Sequence, residues 1–287
     1  MKLSIITINY NNAAGLKKTL DSVASQTYTD FEHIIVDGAS TDGGVEIICE
    51  YEQSLVSNLS PLASRLKWIS EKDTGIYNAM NKGVRLARGE YTLMLNSGDF
   101  LVDEHVIENV IPLLDSTDII QGNTIEEYPN KTMRNRGYGK SDIDFFDVMK
   151  GHFLHQAAFC RRDLFDRYGM FDESYRIIGD TKFFMICLGK EDASFKYIDL
   201  DISNYDMTGI TAETTGKWVQ LRKTEVNRMR NELYSKRLNH FFEENDKKIR
   251  LYDKLHHHKL IWYIVMAITH IHDMIYTSNS TINKECL

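Results

Sequence analysis

Four short apolar runs in the first hundred residues each end in a polar turn, and this repetition restricts the fold more than any other feature. Residues 3–8 run into Asn9-Tyr10-Asn11-Asn12, and residues 33–36 into Asp37-Gly38-Ala39-Ser40-Thr41-Asp42. Residues 66–70 lead to a loop carrying Asp73, and residues 91–95 stop at Asn96-Ser97-Gly98-Asp99. Runs this short and this apolar are what a sheet buried on both faces requires. Between them the period changes to that of helices. Leu16, Leu20 and Val23 share one face, residues 44–52 form a second helix, and Ile76, Met80, Val84 and Ala87 line a third before the Arg88-Gly89 stop. Strands alternating with helices imply βαβ units, a parallel sheet and right-handed crossovers. In an open sheet of this kind ligands sit beyond the carboxyl ends of the strands. The four polar turns therefore converge on one edge, and the acidic turn at Asn96–Asp99 is a candidate metal or phosphate site.

Several function classes are excluded by what the first turn lacks. The chain contains no G-x-G-x-x-G and no G-x-x-x-x-G-K-[ST], which argues against dinucleotide oxidoreductases and P-loop NTPases. A nucleotidyltransferase would place a glycine-rich loop and a basic residue after the first strand, where this chain has Asn9-Tyr10-Asn11-Asn12. With 43% hydrophobic residues and only three prolines, the 287 residues can fill one large domain or a domain with an appendage. The four cysteines, Cys49, Cys160, Cys187 and Cys286, have no metal or disulfide spacing, which suits a reducing cytosol. No apolar run reaches 18 residues, and the amino terminus lacks the pattern of a signal peptide.

The net charge of −7 conceals an asymmetry. Residues 1–216 hold 21 basic against 33 acidic residues, whereas residues 217–260 hold 12 against 6. From residue 214 onward Trp218, Leu221, Val226, Met229 and Leu233 recur at helical spacing in a charged background, a long amphipathic helix. A basic stretch over residues 247–259, including His256-His257-His258, precedes the most apolar run, residues 260–268. That pair reads either as an interfacial membrane helix or as a core or dimer contact. It is too short to span a bilayer.

The second half is less regular. Residues 118–121 form a short strand, and residues 153–159 are apolar enough for another. Residues 122–150 mix aromatic and basic side chains, as a loop over a ligand or a surface hairpin would. Asp180 opens the apolar helix of residues 181–186, where N-capping is the ordinary role of a carboxylate. A cap position also fixes a side chain at a cleft, so the two roles are compatible.

Taken together, SIITINYNN, IIVDGASTDG and SEKDTGIYNAMNKGVRLARGEYTLMLNSGD resemble the family 2 glycosyltransferases, inverting enzymes of the GT-A fold. HQAAFCRRDLFDRYGMFDES, IIGDTKFF and YIDLDISNYDMTGIT resemble the acceptor-side half of the same family, so the likeness covers roughly residues 1–211. The resemblance implies an α/β, Rossmann-like nucleotide-binding domain with a mostly parallel central sheet and a C-terminal helical extension. Residues 1–213 would be catalytic, with a nucleotide-sugar half at 1–121 and an acceptor half at 122–213. Residues 214–287 would form the extension.

Carried over position by position, the resemblance places Ile8, Asn9, Tyr10 and Asp37 around the nucleobase and ribose, with Asp73 and Lys82 lining the same donor pocket. Asn96, Ser97 and Asp99 occupy the family's metal-binding acidic turn, in which Asn96 and Gly98 replace two of the usual acids. Asp99 is then the protein ligand of Mg²⁺ or Mn²⁺ on the donor diphosphate. His155 and Gln156 fall on the acceptor side, and Asp180 is the general base. Gly179 stands before Asp180 where many relatives have Glu, and Asn78 stands where they often have Asp. The implied activity is transfer of a sugar from a nucleotide sugar, UDP-linked in first place, to a glycan or undecaprenyl-linked acceptor in bacterial surface-polysaccharide synthesis. Such an enzyme is cytoplasmic, with inner-membrane contact or homodimerisation as roles for the tail and no nucleic-acid partner. The alternative from another class is a nucleotide- or carbohydrate-binding relative that has lost activity.

Overall fold

The computed structural model describes residues 1–240 and 244, apart from 152, 192 and 208–215. The tail features at residues 247–259 and 260–268 lie outside the described residues, as do the last four residues of the 197–211 motif. The chain divides into two compact units, Met1–Met229 and Arg230–Leu287, and every site residue named above lies in the first. Among the described residues no helix is long and apolar enough to cross a membrane.

The first unit opens with the expected alternation. Strand β1 (Leu3–Asn9) is followed by helix α1 (Ala13–Ala24), β2 (Glu32–Asp37), α2 (Gly44–Ser57), β3 (Leu66–Ser70), α3 (Ile76–Leu86) and β4 (Tyr91–Met94). β1, β2 and β4 are buried along their whole length, which is why each reads as an unbroken apolar run. The helices bury one face each, with Leu16, Leu20 and Val23 of α1 and Met80 and Val84 of α3 turned inward. Pairing is parallel across β3-β2-β1-β4. The sheet thus delivers the ends of β1, β2, β3 and β4 to one edge, as the polar turns require.

Beyond β4 the chain departs from simple alternation. Two-residue β5 (Phe100–Leu101) and short α4 (Val106–Val110) follow, with a 3₁₀ turn at Ile111–Leu113 containing Pro112. β6 (Ile119–Tyr128) and β7 (Lys131–Asn135) form an antiparallel hairpin, so residues 122–135 are strand and turn rather than a loop. Next come α5 (Phe145–Lys150), a 3₁₀ turn at His155–Ala157, β8 (Ala158–Arg161), α6 (Asp163–Tyr168), α7 (Gly179–Gly189), β9 (Phe195–Asp206) and α8 (Lys217–Leu233). The strand expected over residues 153–159 therefore begins only at Ala158, and His155 sits in the turn before it. β8 inserts antiparallel between β4 and β6, and the sheet order is β3-β2-β1-β4-β8-β6-β9-β5. Its parallel half and the curl beyond β8 match an α/β sheet of GT-A type.

One buried carboxylate ties the amino-terminal half together. Glu32, whose side chain is 2% exposed, accepts from Lys67 Nζ at 2.7 Å and Ser4 Oγ at 2.7 Å, and from the Arg88 and Gly89 N–H groups after α3. Burial opposes its charge, but Lys67, the Ser4 hydroxyl and the Arg88 N–H more than offset this and hold its carboxyl below the usual 4.5. The stability it contributes is therefore full above its unfolded value and is lost as pH falls through the lower folded one. Glu32→Ala is expected to cost about 3 kcal/mol at neutral pH, because Lys67 and two N–H groups lose their acceptor. Urea unfolding from pH 3 to pH 7 checks this. The variant should lose the part of the acid limb that the wild type shows.

Candidate active site

The carboxyl edge of β1 and β2 is built by mutual hydrogen bonding of polar residues. Asp37 is fully buried, yet it accepts from Asn9 Nδ2 at 2.8 Å, Ser40 Oγ at 2.6 Å, the Ser40 N–H at 2.9 Å and Ser70 Oγ at 2.7 Å. Burial works against the anion, but these donors outweigh it and lower its pKa. Ile8 is 7% exposed, and its carbonyl accepts the Ser97 N–H at 3.0 Å. Tyr10, by contrast, is 66% exposed at the end of β1. An atom built at the Cβ position of Gly38 would lie 2.5 Å from Asp73 Oδ2 and 3.0 Å from Tyr10 Cδ2. Asp73 and the Tyr10 ring thus flank the Gly38 backbone, an aromatic face beside a hydrogen-bonding carboxylate. Lys82 Nζ is committed to Glu71 at 2.8 Å and to the Lys72 carbonyl at 2.9 Å, so it braces the loop that carries Asp73.

The acidic turn is anchored to the same edge. Asn12 caps α1 by accepting from the Gly15 N–H and also donates to the Ser97 carbonyl at 3.0 Å. Thr19 Oγ1 donates to the Asp99 carbonyl at 2.6 Å and accepts from the Gly98 N–H at 3.0 Å. Gly98 has φ +105°, a left-handed conformation that a third acid at this position would strain. Asp99 is 5% exposed, and burial drives its pKa up to about 7 against the pull of His155 and the Asp206 N–H. Asp206 ends β9 and so brings a second carboxylate toward the turn, one that the sequence motif does not name.

His155 joins this turn to Asp180. Its Nδ1 lies 3.0 Å from Asp180 Oδ2, and its Nε2 lies 3.3 Å from Asn96 Nδ2. Burial alone would lower the imidazole pKa, but the hydrogen bond and charge of Asp180, with the charge of Asp99, raise it. For Asp180 burial acts upward, and it is outweighed by His155, the Thr181 N–H and the Tyr77 hydroxyl, so the carboxyl stays below its ordinary value. Tyr77 Oη donates to Asp180 Oδ1 at 2.9 Å from the first turn of α3. The Tyr77 ring also explains Gly179. A Cβ there would meet Tyr77 Cδ2 and Cε2 at 2.7 Å, so a glutamate at this position has no room, and the tyrosine hydroxyl orients the aspartate. Gln156 is buried, and its backbone carbonyl accepts the Ser203 hydroxyl at 2.8 Å.

Asn78 and Asn81 of α3 both donate to Glu173, each at 2.8 Å, and the Asn81 amide also exchanges hydrogen bonds with the backbone of Phe171. α3 therefore holds the loop before Asp180 as well as Asp180 itself. Sequence reading left out Tyr77 and Glu173, because the first looks like an ordinary helix aromatic and the second like a solvated acid.

A small oxygen-ligated cation fits the acidic turn. Asn96 Oδ1 is buried and has no hydrogen-bond partner, and it shares its turn with the buried Asp99 carboxylate. Among the described residues no three His, Cys, Asp or Glu side chains cluster at metal-ligating spacing. A magnesium- or manganese-like ion would accordingly take most of its ligands from water and a diphosphate.

Residues 4–169 match the family described as Glycosyl transferase family 2. The "PGL/p-HBAD biosynthesis glycosyltransferase" of Mycobacterium bovis is 32% identical over 214 residues, which are 74% of this chain and 79% of that protein. The chain is a family 2 glycosyltransferase. This family 2 enzyme is also 27% identical over 224 residues to an uncharacterized glycosyltransferase of Mycobacterium tuberculosis, covering 72% of this chain and 76% of that one. Among solved structures, S. aureus TarS 1-349 in complex with UDP-GlcNAc superposes with a TM-score of 0.60 at 19% identity. That alignment covers 77% of this chain and 61% of TarS 1-349, so the chain spans about three-fifths of the solved protein. The mannosyltransferase PcManGT from Pyrobaculum calidifontis, in complex with GDP-Man and Mn²⁺, gives 0.56 at 19% identity, covering 80% of this chain and 63% of that one. At such identities the likeness establishes the GT-A-type fold.

Proposed function

We propose that the chain transfers a sugar from a nucleoside-diphosphate sugar, UDP-linked in first place, to a hydroxyl of a glycan or lipid-linked oligosaccharide, with inversion at the anomeric carbon. The observation that carries this reading is the continuous link Asn96–His155–Asp180–Tyr77, which supports a half-buried carboxylate base beside the acidic turn. TarS bound to UDP-GlcNAc and PcManGT bound to GDP-Man and Mn²⁺ support a nucleotide-sugar donor and a cation. The name of the mycobacterial relative supports a glycolipid or surface-glycan product. The excess of basic residues over 217–260, 12 against 6, suits an acceptor presented on an anionic membrane face.

In this reading Tyr10 stacks on the nucleobase and Asp73 accepts from base or ribose, while Asp37, whose oxygens already take four hydrogen bonds, holds the turn that faces the nucleotide. Asp99, with Asn96 Oδ1, would hold the cation, which when bound neutralises charge developing on the departing diphosphate. Asp180 takes the proton of the acceptor hydroxyl as its oxygen bonds to the anomeric carbon and the bond to the diphosphate breaks. The Asp180 carboxylate accepts from Tyr77, His155 and the Thr181 N–H, and of its roughly four lone-pair sites one is left for the acceptor hydroxyl. One displacement inverts the centre, so an α-linked donor yields a β-linked product.

The test is a panel of UDP- and GDP-sugars assayed for nucleoside diphosphate release with Mg²⁺ or Mn²⁺. Release from one or two UDP-sugars is the expected result. Binding of UDP without release from any donor would favour the non-catalytic relative.

A further inference from the structure

We infer that Glu225, on the C-terminal helix α8, is a positioning residue for Asp180, so that the basic side of the active site is completed from outside the family-matched residues. The inference rests on the reading of Asp180 as base. Glu225 lies in a helix rich in exposed charge, yet it is 4% exposed. Its Oε1 accepts the Arg176 N–H at 2.7 Å, and its Oε2 accepts the N–H groups of Ile177 at 3.0 Å and Ile178 at 3.2 Å. Three successive N–H groups around one carboxylate form an anion-binding nest. The nest ends at Ile178, the N-cap of α7, which has no side-chain cap of its own. Asp180 follows two residues later.

The same segment is gripped on either side. One turn along α8, Arg228 lies 3.9 Å over the Tyr175 ring and donates to the Ser174 hydroxyl. From the opposite direction, α3 holds Glu173 through Asn78 and Asn81. The backbone from Glu173 to Ile178 is thus fixed at both ends, and among the described residues Glu225 is the only acceptor for the N–H groups of Arg176, Ile177 and Ile178. Both partners lie beyond residue 169, where the family match stops. A buried carboxylate whose three acceptor contacts all go to the backbone before the base sets the entry of α7, and with it the Asp180 side chain, against Tyr77 and His155.

The test is a double-mutant cycle in the full-length protein with the nucleotide sugar turned over in the donor panel, reading kcat, donor KM and UDP affinity. Glu225→Gln keeps the shape but places an amide N–H₂ against N–H donors. It should lower kcat about 10- to 100-fold, the scale of an ångström-sized misplacement, with donor KM and UDP affinity within about twofold of wild type. In an Asp180→Asn background the same change should lower kcat less than threefold, because the residue it positions no longer takes a proton. Amide hydrogen exchange should accelerate at residues 176–178. If Glu225→Gln fails to fold, Glu225→Asp, which keeps the charge and shortens the reach, should show the same kcat-only loss. A folded variant with wild-type kcat overturns the proposal, as does an equal loss in both backgrounds. If Asp180→Asn alone turns over at the wild-type rate, the base reading itself falls. That outcome is separate from a Glu225 change that is silent while Asp180→Asn is impaired.

Discussion

Asp180→Asn should reduce transfer by about 10²–10⁴-fold while leaving nucleotide affinity nearly unchanged. The substitution preserves the volume of the side chain and one oxygen acceptor, so either Tyr77 or His155 keeps its hydrogen bond. What disappears is proton uptake from the acceptor. The proposed nucleotide edge, Asn9, Tyr10, Asp37 and Asp73, lies on other elements, and Asn9, Asp37 and Asp73 have hydrogen bonds of their own. Calorimetric titration with UDP and initial rates under saturating donor separate the two effects. Wild-type turnover in this variant would reduce Asp180 to the first-turn acid of α7.

Asp99→Ala should abolish cation-dependent turnover and leave the fold intact. The carboxylate is 5% exposed with a pKa pushed up to about 7, so its burial as an anion is unfavourable in the protein alone. Removing it relieves that cost, and the turn keeps its backbone hydrogen bonds to Thr19 and Ile8. The melting temperature should therefore stay within a few degrees of wild type, while the dependence of turnover on Mn²⁺ concentration vanishes. Undiminished wild-type turnover in EDTA would remove the cation from the account.

The parallel half of the sheet was legible because β1, β2 and β4 are buried on both faces, which forces unbroken apolar runs. The other half obeys weaker signals. β9 is mostly half-exposed with only Ile198, Ile202 and Ser203 buried, β7 is exposed over most of its length, and β5 has two residues. None of these carries a pattern that separates strand from loop. His155 was legible as a site candidate but not as a turn residue, since the apolar letters around it suit a strand equally well.

The site shows the same division. Residues on the strand-end turns announce themselves, because polar turns at a sheet edge have few other reasons to recur. The residues that orient them do not. Tyr77 meets Asp180 across 103 positions, and Glu225 meets Ile178 across 47. On a helix wheel the first is one aromatic among others and the second an acid in a charged helix. Only tertiary contact distinguishes them. The apolar stripe of α8 drew attention to Trp218, Leu221, Val226, Met229 and Leu233, whereas its buried residues are Met229 and Glu225.

The most direct test of single displacement is the anomeric configuration of the first product. With an α-linked UDP-sugar and water as acceptor, proton NMR at early times, before mutarotation, reports which free anomer is released with UDP. A geometry in which Asp180 serves one attacking oxygen while the diphosphate leaves from the opposite face predicts the β anomer first. Initial release of the α anomer would mean retention, which a single in-line displacement cannot give, and would contradict the account.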